Sequence, residues 1–494
     1  MVTRIERPRS RLCVCLLGLS FLGVFIILLG IGAAAPDVLK VQSSADDGGL
    51  LLYQDGSNYL AQLFQYSREH QLFWVELRLG TGDLEGDSWP LAIDVDVSVK
   101  MQTWHLDDDV SPVEVASYSV DATQSCPAQD AQFCDYFFLF KRDFVDHDRY
   151  ALAITFPDPA EYLAGVEEGA DHDDLLYDVE SRVISVNPEF TRFEIAFKYI
   201  WFVATLLVMF CPFGVGFMSA VERQRRDTGV GKTFHQKWTA VLLWALVWFD
   251  DPFVAATVYT DWAKFFSAVF ILSASVFVFL MLLFWLCFLT DVRVTRTADR
   301  RAHRGLFYWV PKVVLTLAIG VTVFGGYMYY RFEDSISSEY TGVADEKKAA
   351  EVLAVLLGLM LSVYLLWTVI LWLRSCGGLR KVSPSRILLY VISLLTCLVA
   401  VIGVFVAAYY PYSTSGVAFL GIHGLLNLYV WALAVSFSPV RSPTSGVDAL
   451  GMGDKPVALG RSSAAIAGTN RREDEDDLSG WEDPTDTDFK AVEL

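Results

Sequence analysis

Eight apolar stretches divide the chain, each near the length of about 20 residues that a helix needs to cross a hydrocarbon core. They fall at 12–35, 195–219, 238–260, 265–290, 307–330, 351–373, 386–409 and 416–437. Between the first and the second the pattern changes from continuous runs to alternation. "AIDVDVSV" sets Ile93, Val95, Val97 and Val99 on one face with acids opposite, the period-2 signature of a half-buried strand. "LFWVELRL" (72–79), "VEVASYSV" (113–120), "DYFFLFKR" (135–142), "YALAITF" (150–156) and "FTRFEIAF" (190–197) read the same way. Six or seven short strands in about 120 residues predict an antiparallel β-sandwich. After Ser438-Pro439 the chain turns polar, without apolar periodicity, and reads as disordered.

The first run follows a basic start, "RIERPRSRLCVC", and precedes a small-residue "AAA", as a secretory signal would. The run from Leu12 to Ile31 is longer than a usual h-region of about 7–15 residues, and Pro36 follows the alanines. The reading is a retained signal anchor. Basic residues collect in "ERQRRDTGVGKTFHQK" (222–237), "DVRVTRTADRRAHR" (291–304) and "RSCGGLRKVSPSR" (374–386), each after an even-numbered span. With the basic N-terminus they place both chain ends in the cytosol. The expected organisation is a cytosolic N-terminus (1–11), a signal-anchor helix (12–35) and a luminal β-sandwich (36–193). A seven-helix transmembrane bundle (194–438) and a disordered, acidic cytosolic tail (439–494) follow.

Composition adds the charge. The net charge is -19, which excludes nucleic acid as a partner. Most acids lie in 37–190, where they outnumber Lys and Arg roughly four to one, and a second group crowds the tail. Cys126 and Cys134 are the two cysteines of the 36–193 block. An oxidising lumen would join them into a small loop clip; the alternative is two free thiols. The clusters "DDD" (107–109) and "EEGADHDD" (167–174) lack EF-hand spacing and read as solvated loops, so no metal is expected. H-E-x-x-H, G-x-S-x-G and P-loop motifs are absent, and neither an enzyme activity nor a cofactor is expected.

The third span carries the sharpest anomaly, "WALVWFDDPFVAATVY". An Asp at mid-helix costs about 2.5–3.5 kcal/mol on an insertion scale, against about 0.3–0.6 returned by each strong apolar residue. Asp250 and Asp251 must therefore face protein or enclosed water. Neighbouring positions diverge by about 100° around a helix, so the two cannot share one partner. Pro252 predicts a kink: it cannot donate to the carbonyl of Trp248, and it pushes Asp251 out of helical geometry. The Trp248 carbonyl would be left as a free acceptor beside the pair. His423 enters from the opposite end of the eighth span to a similar depth, with Asn427 four residues on along the same face. Lys312, only about 8 Å from the cytosolic end of its span, is expected to snorkel. The Asp–His–Asn cluster either pins helix packing or serves a cavity or switch.

"HQKWTAVLLWALVWFDDPF" (235–253), "LLFWLCFLTDVRV" (282–294), "LFYWVPK" (306–312) and "HGLLNLYVWALAVSFSP" (423–439) together resemble the transmembrane protein 181 family, itself similar to Wntless-type proteins. The resemblance implies a luminal Golgi-dynamics (GOLD-like) β-sandwich before a seven-helix bundle. It implies escort of membrane or lipidated cargo through the secretory pathway. In the luminal block only the arrangement matches.

The tail sequence "RREDEDDLSGWEDPTDTDF" sets Leu478, Trp481 and Phe489 among acids, which suits docking into a basic, grooved adaptor. Ser479 stands three residues before Glu482, the spacing of an acid-directed kinase site. A solubilising tail is the plainer alternative. The expected role is a trafficking receptor or cargo chaperone at the Golgi, endosome or plasma membrane, with membrane lipids, luminal protein or lipidated cargo, and cytosolic coat adaptors as partners. The competing class is a signalling receptor or ion pathway that uses the buried acids.

Overall fold

The computed structural model describes residues 10–43, 50–55, 58–63, 66–80, 92–104, 113–125, 136–145, 149–155, 178–211, 216–229, 231–293, 306–332, 343–379, 384–409 and 416–439. Cys126, Cys134, Leu478, Ser479, Trp481, Glu482 and Phe489 lie outside the described residues.

Alternation makes the strands: β1 (Leu39–Ser43), β2 (Leu50–Asp55), β3 (Asn58–Leu63), β4 (Leu72–Gly80), β5 (Ala92–Trp104), β6 (Val113–Ser125), β7 (Phe137–Asp143), β8 (Arg149–Thr155) and β9 (Asp178–Val186). They form two antiparallel sheets, β1-β9-β4-β7 and β2-β3-β8-β5-β6. On β4, Phe73, Val75 and Leu77 are fully buried while Trp74, Glu76 and Arg78 point the other way. Tyr150, Leu152 and Ile154 do the same on β8. The sheets meet through these rows: the Phe73 and Tyr150 rings are 4.9 Å apart at 63°, with Tyr66 against both. Each such side chain contributes about 1.5–3 kcal/mol by leaving water. On the outer face, Arg78 pairs with Glu180 and Arg182 with Glu76, and both guanidiniums cover the Tyr136 ring.

The helices are α1 (Ser10–Ala34), α2 (Pro188–Phe210), α3 (Phe217–Thr228), α4 (Phe234–Phe249), α5 (Val254–Tyr259), α6 (Ala263–Arg293), α7 (Leu306–Phe332), α8 (Val343–Leu379), α9 (Pro384–Tyr409) and α10 (Gly416–Phe437). Among the described residues, six stretches are long and apolar enough to cross a membrane: 188–210, 234–259, 263–290, 308–329, 352–375 and 416–437. Two shorter apolar stretches, 18–34 in α1 and 387–403 in α9, join them. This is a membrane protein. Val352, Val355, Leu359, Leu366 and Leu373 of α8 are exposed, an apolar row that fits lipid contact.

Three expectations need correction. "FTRFEIAF" is not a strand but the start of α2, because Asn187 caps the helix through Oδ1 to the Glu189 N–H and Pro188 occupies its first turn. The boundary between sheet region and bundle therefore falls at 188, not 194. The span expected at 195–219 ends at Phe210: Cys211 precedes a proline and is extended, and Gly216 (φ 41°) opens the separate helix α3. Lys312 does not snorkel; its ammonium is buried, donates to Thr290 Oγ1 at 2.9 Å and lies 3.4 Å from the centre of the Tyr308 ring.

Two contacts fix the frame around the polar centre. The first is α1 against α10, where small residues let the backbones close in. A methyl group added at Gly32 would meet Val417 Cα at 2.8 Å and the Gly416 carbonyl oxygen at 3.0 Å. Leu28 joins Phe197, Trp201, Leu420 and Leu428 in the same apolar cluster. The second contact joins sheets and bundle through a 3-10 turn, Arg68–His70. Arg68 donates to the Tyr259 carbonyl at 3.2 Å and Asp261 at 2.6 Å. Glu69 accepts from Arg192 at 2.8–3.0 Å and from the Tyr259 hydroxyl at 2.9 Å. Thr191 donates to the Glu69 carbonyl at 2.7 Å.

Candidate functional site

The site begins with the broken span. Asp250 ends α4, its N–H still bonded to the Leu246 carbonyl at 2.8 Å. Pro252 stops the helix, and Asp251 turns into the positive-φ region at φ 54° before α5 resumes at Val254. Asp tolerates that region better than most residues, but the conformation still costs about 1–3 kcal/mol. The Trp248 carbonyl is not left free, as the sequence suggested; the Asp251 N–H takes it at 3.2 Å. The turn sends the two carboxylates to different partners, and both are buried.

Asp250, fully buried, meets α10 and α2. Asn427 Nδ2 donates to its Oδ1 at 2.8 Å, and Thr205 Oγ1 donates to its Oδ2 at 2.9 Å. His423 Nε2 lies 3.1 Å from the same Oδ1, but outside hydrogen-bond geometry, so the contact is one of charge and dipole. His423, Asn427 and Trp431 stand at i, i+4 and i+8 and form one stripe of α10. Trp431 completes the stripe by donating Nε1 to Thr205 Oγ1 at 3.2 Å. The imidazole is held by stacking on Phe249 (4.9 Å, 19°) and Phe419 (5.7 Å, 27°). Asp250, His423 and Asn427 are thus assembled at one level.

Asp251 goes elsewhere. Lys198 Nζ, on α2, lies 3.3 Å from its Oδ2 and 2.9 Å from Glu194 Oε1. The ammonium also sits 4.3 Å from the centre of the Phe270 ring. Only about 5% of Lys198 is exposed, and 3% of Asp251. A lysine this deep is tolerated because it neutralises a carboxylate that is equally deep. Lys198 and Thr205 are seven residues apart, on one face of α2, so a single helix faces both acids.

Sequence reasoning missed Lys198, Thr205 and Trp431. Lys198 did carry a signal, a cation inside a run otherwise apolar from Ile195 to Phe210. Thr205 and Trp431 carried none, since both are common in membrane helices. The assembled groups can hold, share or hand over protons between carboxylate, imidazole and ammonium, and can lock three helices in register.

The stretch from the cap of α2 to just past α10 is also the unit that comparison with known proteins picks out. The family model "Wntless-like, transmembrane domain" matches residues 187–441, more than half of the chain. The chain belongs to this Wntless-like family. Human "Transmembrane protein 181" is 28% identical over 274 residues, which cover 52% of this chain and 54% of that protein. The chain matches about half the length of this relative. The Wntless-like segment contains every member of the polar centre, from Glu194 to Trp431, and leaves the two sheets outside it.

Proposed function

We propose that this Wntless-like membrane protein is a trafficking receptor or cargo chaperone of the secretory and endosomal pathway. Cargo binds through a GOLD-like sheet region on the luminal side, and the tail docks coat adaptors in the cytosol. Family membership supports a receptor or transport role. The observation that carries the finer reading is the joint at Arg68–Glu69, which seats the sheets on α2 and α5 with ion pairs. Binding at the sheets is thereby mechanically linked to the kinked span and its buried acids. The test is proximity labelling with the labelling enzyme on the sheet side, followed by co-purification. Secreted or lipidated proteins are expected to co-purify with the intact chain and to be lost when residues 37–186 are removed from a chain that still inserts. Retention of the same proteins without the sheets would refute the reading.

A second reading has its own observation. Lys198 with Asp251 and His423 with Asp250 place titratable groups deep in the bundle, as a proton or ion pathway would. Purified protein in liposomes should then pass ions, and Asp251→Asn should abolish the flux. No flux by the wild-type chain leaves the trafficking role standing.

A further inference from the structure

A cavity of about 220 Å³ opens where the sheets meet the bundle, on the rim of α5 and α6. Its walls carry Arg68 from the 3-10 turn, Arg142 from β7 and Lys264 from the first turn of α6. Asp261 is the sole carboxylate among its lining residues, so three cations face one acid. In a chain of net charge -19, an excess of positive charge in a concave site marks an anion as the ligand.

The rest of the lining is apolar. Phe144, Val145, Val258 and Ala263 form the floor, with Val145 and Val258 almost fully buried. Immediately outside, Tyr259, Trp262 and Phe265 are 50%, 69% and 57% exposed. Exposed aromatic rings at the end of an apolar span sit at the headgroup level of a bilayer. The cavity therefore lies where lipid phosphates are concentrated. Its volume, below the roughly 300–1,000 Å³ of pockets for whole drug-sized ligands, suits a head group and not an acyl chain.

Backbone strain falls at the same place. Among the described residues, three that are not glycine take positive φ, and two of them, Gln71 (55°) and Phe144 (61°), line this cavity. They are tied together, the Phe144 N–H donating to the Gln71 carbonyl at 2.9 Å. Strain of this kind persists where the surroundings over-determine the backbone, and ligand clamps are one such setting. The third such residue, Asp251, belongs to the kink already described.

We propose that this cavity binds a phosphate group at the membrane border. Arg142 and Lys264 supply charge-assisted hydrogen bonds, and Arg68 stays engaged with Asp261 and the Tyr259 carbonyl. The phosphate comes either from a phospholipid head group or from solution. Occupancy would bridge β7 to α6 and so tie the sheets to the bundle independently of the Glu69 joint. This site does not depend on the trafficking reading.

The test uses the purified full chain. In one arm it is equilibrated with phosphatidylcholine vesicles with or without phosphatidic acid, extracted, and weighed by native mass spectrometry to count retained phospholipid. In the other arm, inorganic phosphate is titrated in lipid-free detergent while thermal unfolding is followed. Lys264→Glu is the main variant, because Lys264 is exposed and its replacement spares the fold; Arg142→Gln is the second. Retained phospholipid that falls roughly tenfold in Lys264→Glu, the loss of one strong charged contact, assigns the site to a lipid. A phosphate-dependent rise in Tm that Lys264→Glu removes, without lipid retention, supports the site with a soluble phosphate. If neither phospholipid retention nor the phosphate response changes in Lys264→Glu, the proposal is wrong.

Discussion

Asn427 Nδ2 donates to Asp250 Oδ1 at 2.8 Å across 177 residues of chain. That single bond joins the kinked span to the last helix, and Thr205 ties the same carboxylate to α2. Three helices therefore share one acid, in a setting where water cannot replace a lost partner.

Removing that acid should cost more than neutralising it. Asp250→Ala strands the Asn427 amide and the Thr205 hydroxyl and is expected to destabilise by about 1–3 kcal/mol. Asp250→Asn keeps an acceptor at the site and should lose less. Thermal unfolding in detergent ranks the two; equal losses would show that the hydrogen bonds contribute nothing specific.

The Lys198–Asp251 pair predicts a non-additive cycle. Lys198→Met leaves Asp251 uncompensated in the bundle, a change worth about 3–5 kcal/mol. Adding Asp251→Asn removes the stranded charge and should restore part of the loss, with a coupling of about 0.5–3 kcal/mol. Additive losses in the double variant would mean that the two side chains do not support each other.

Close approach of α1 and α10 gives a steric prediction with an internal control. Gly32→Ala pushes a methyl group into the backbone at Val417 and should cost about 1–3 kcal/mol. Gly30→Ala, two residues away, meets nothing within 4 Å and should be neutral or slightly stabilising. Matching unfolding temperatures for the two variants would rule out the packing described for Gly32.

Acid should loosen the joint between sheets and bundle in two steps. Burial holds the His70 imidazole below its ordinary 6.5, so the folded state favours the neutral ring. That contribution is present above pH 6.5 and is lost as pH falls through the lower folded value. The Arg192 hydrogen bond holds the Glu69 carboxyl below its ordinary 4.5, with Tyr259 adding to it. This second contribution is present above pH 4.5 and disappears on further acidification. Lys40, Arg68 and Asp261 are the other charges near the turn. Hydrogen exchange across residues 66–71 should therefore speed up below pH 6.5. His70→Gln should erase the upper step only.

Much of this was legible in the sequence because burial writes a period. β4, β5, β6, β7 and β8 lie where alternation puts them, and each apolar run is helical. β1, β2, β3 and β9 escaped because Lys40, Gln54 and Arg182 break up apolar rows only five to nine residues long. "FTRFEIAF" alternates well enough to pass for a strand, and the Asn187-Pro188 cap before it decides the matter. In the site, carboxylates and a histidine in apolar runs stand out by cost. Their partners do not: Thr205 looks ordinary until Asp250 is placed beside it. Lys312 shows the opposite error, since depth along a helix says nothing of which way the helix faces.

The order of synthesis gives the Asn427–Asp250 bond one more meaning. A ribosome adding about 5–20 residues per second releases Asp250 roughly 9–35 s before Asn427 exists. During that interval the acid has only Thr205 of an earlier helix for company, and His423 is also still to come. The nascent protein must therefore be sheltered at the insertion machinery until its final helix arrives. Truncation anywhere before residue 423 should leave a chain that quality control recognises as unfinished.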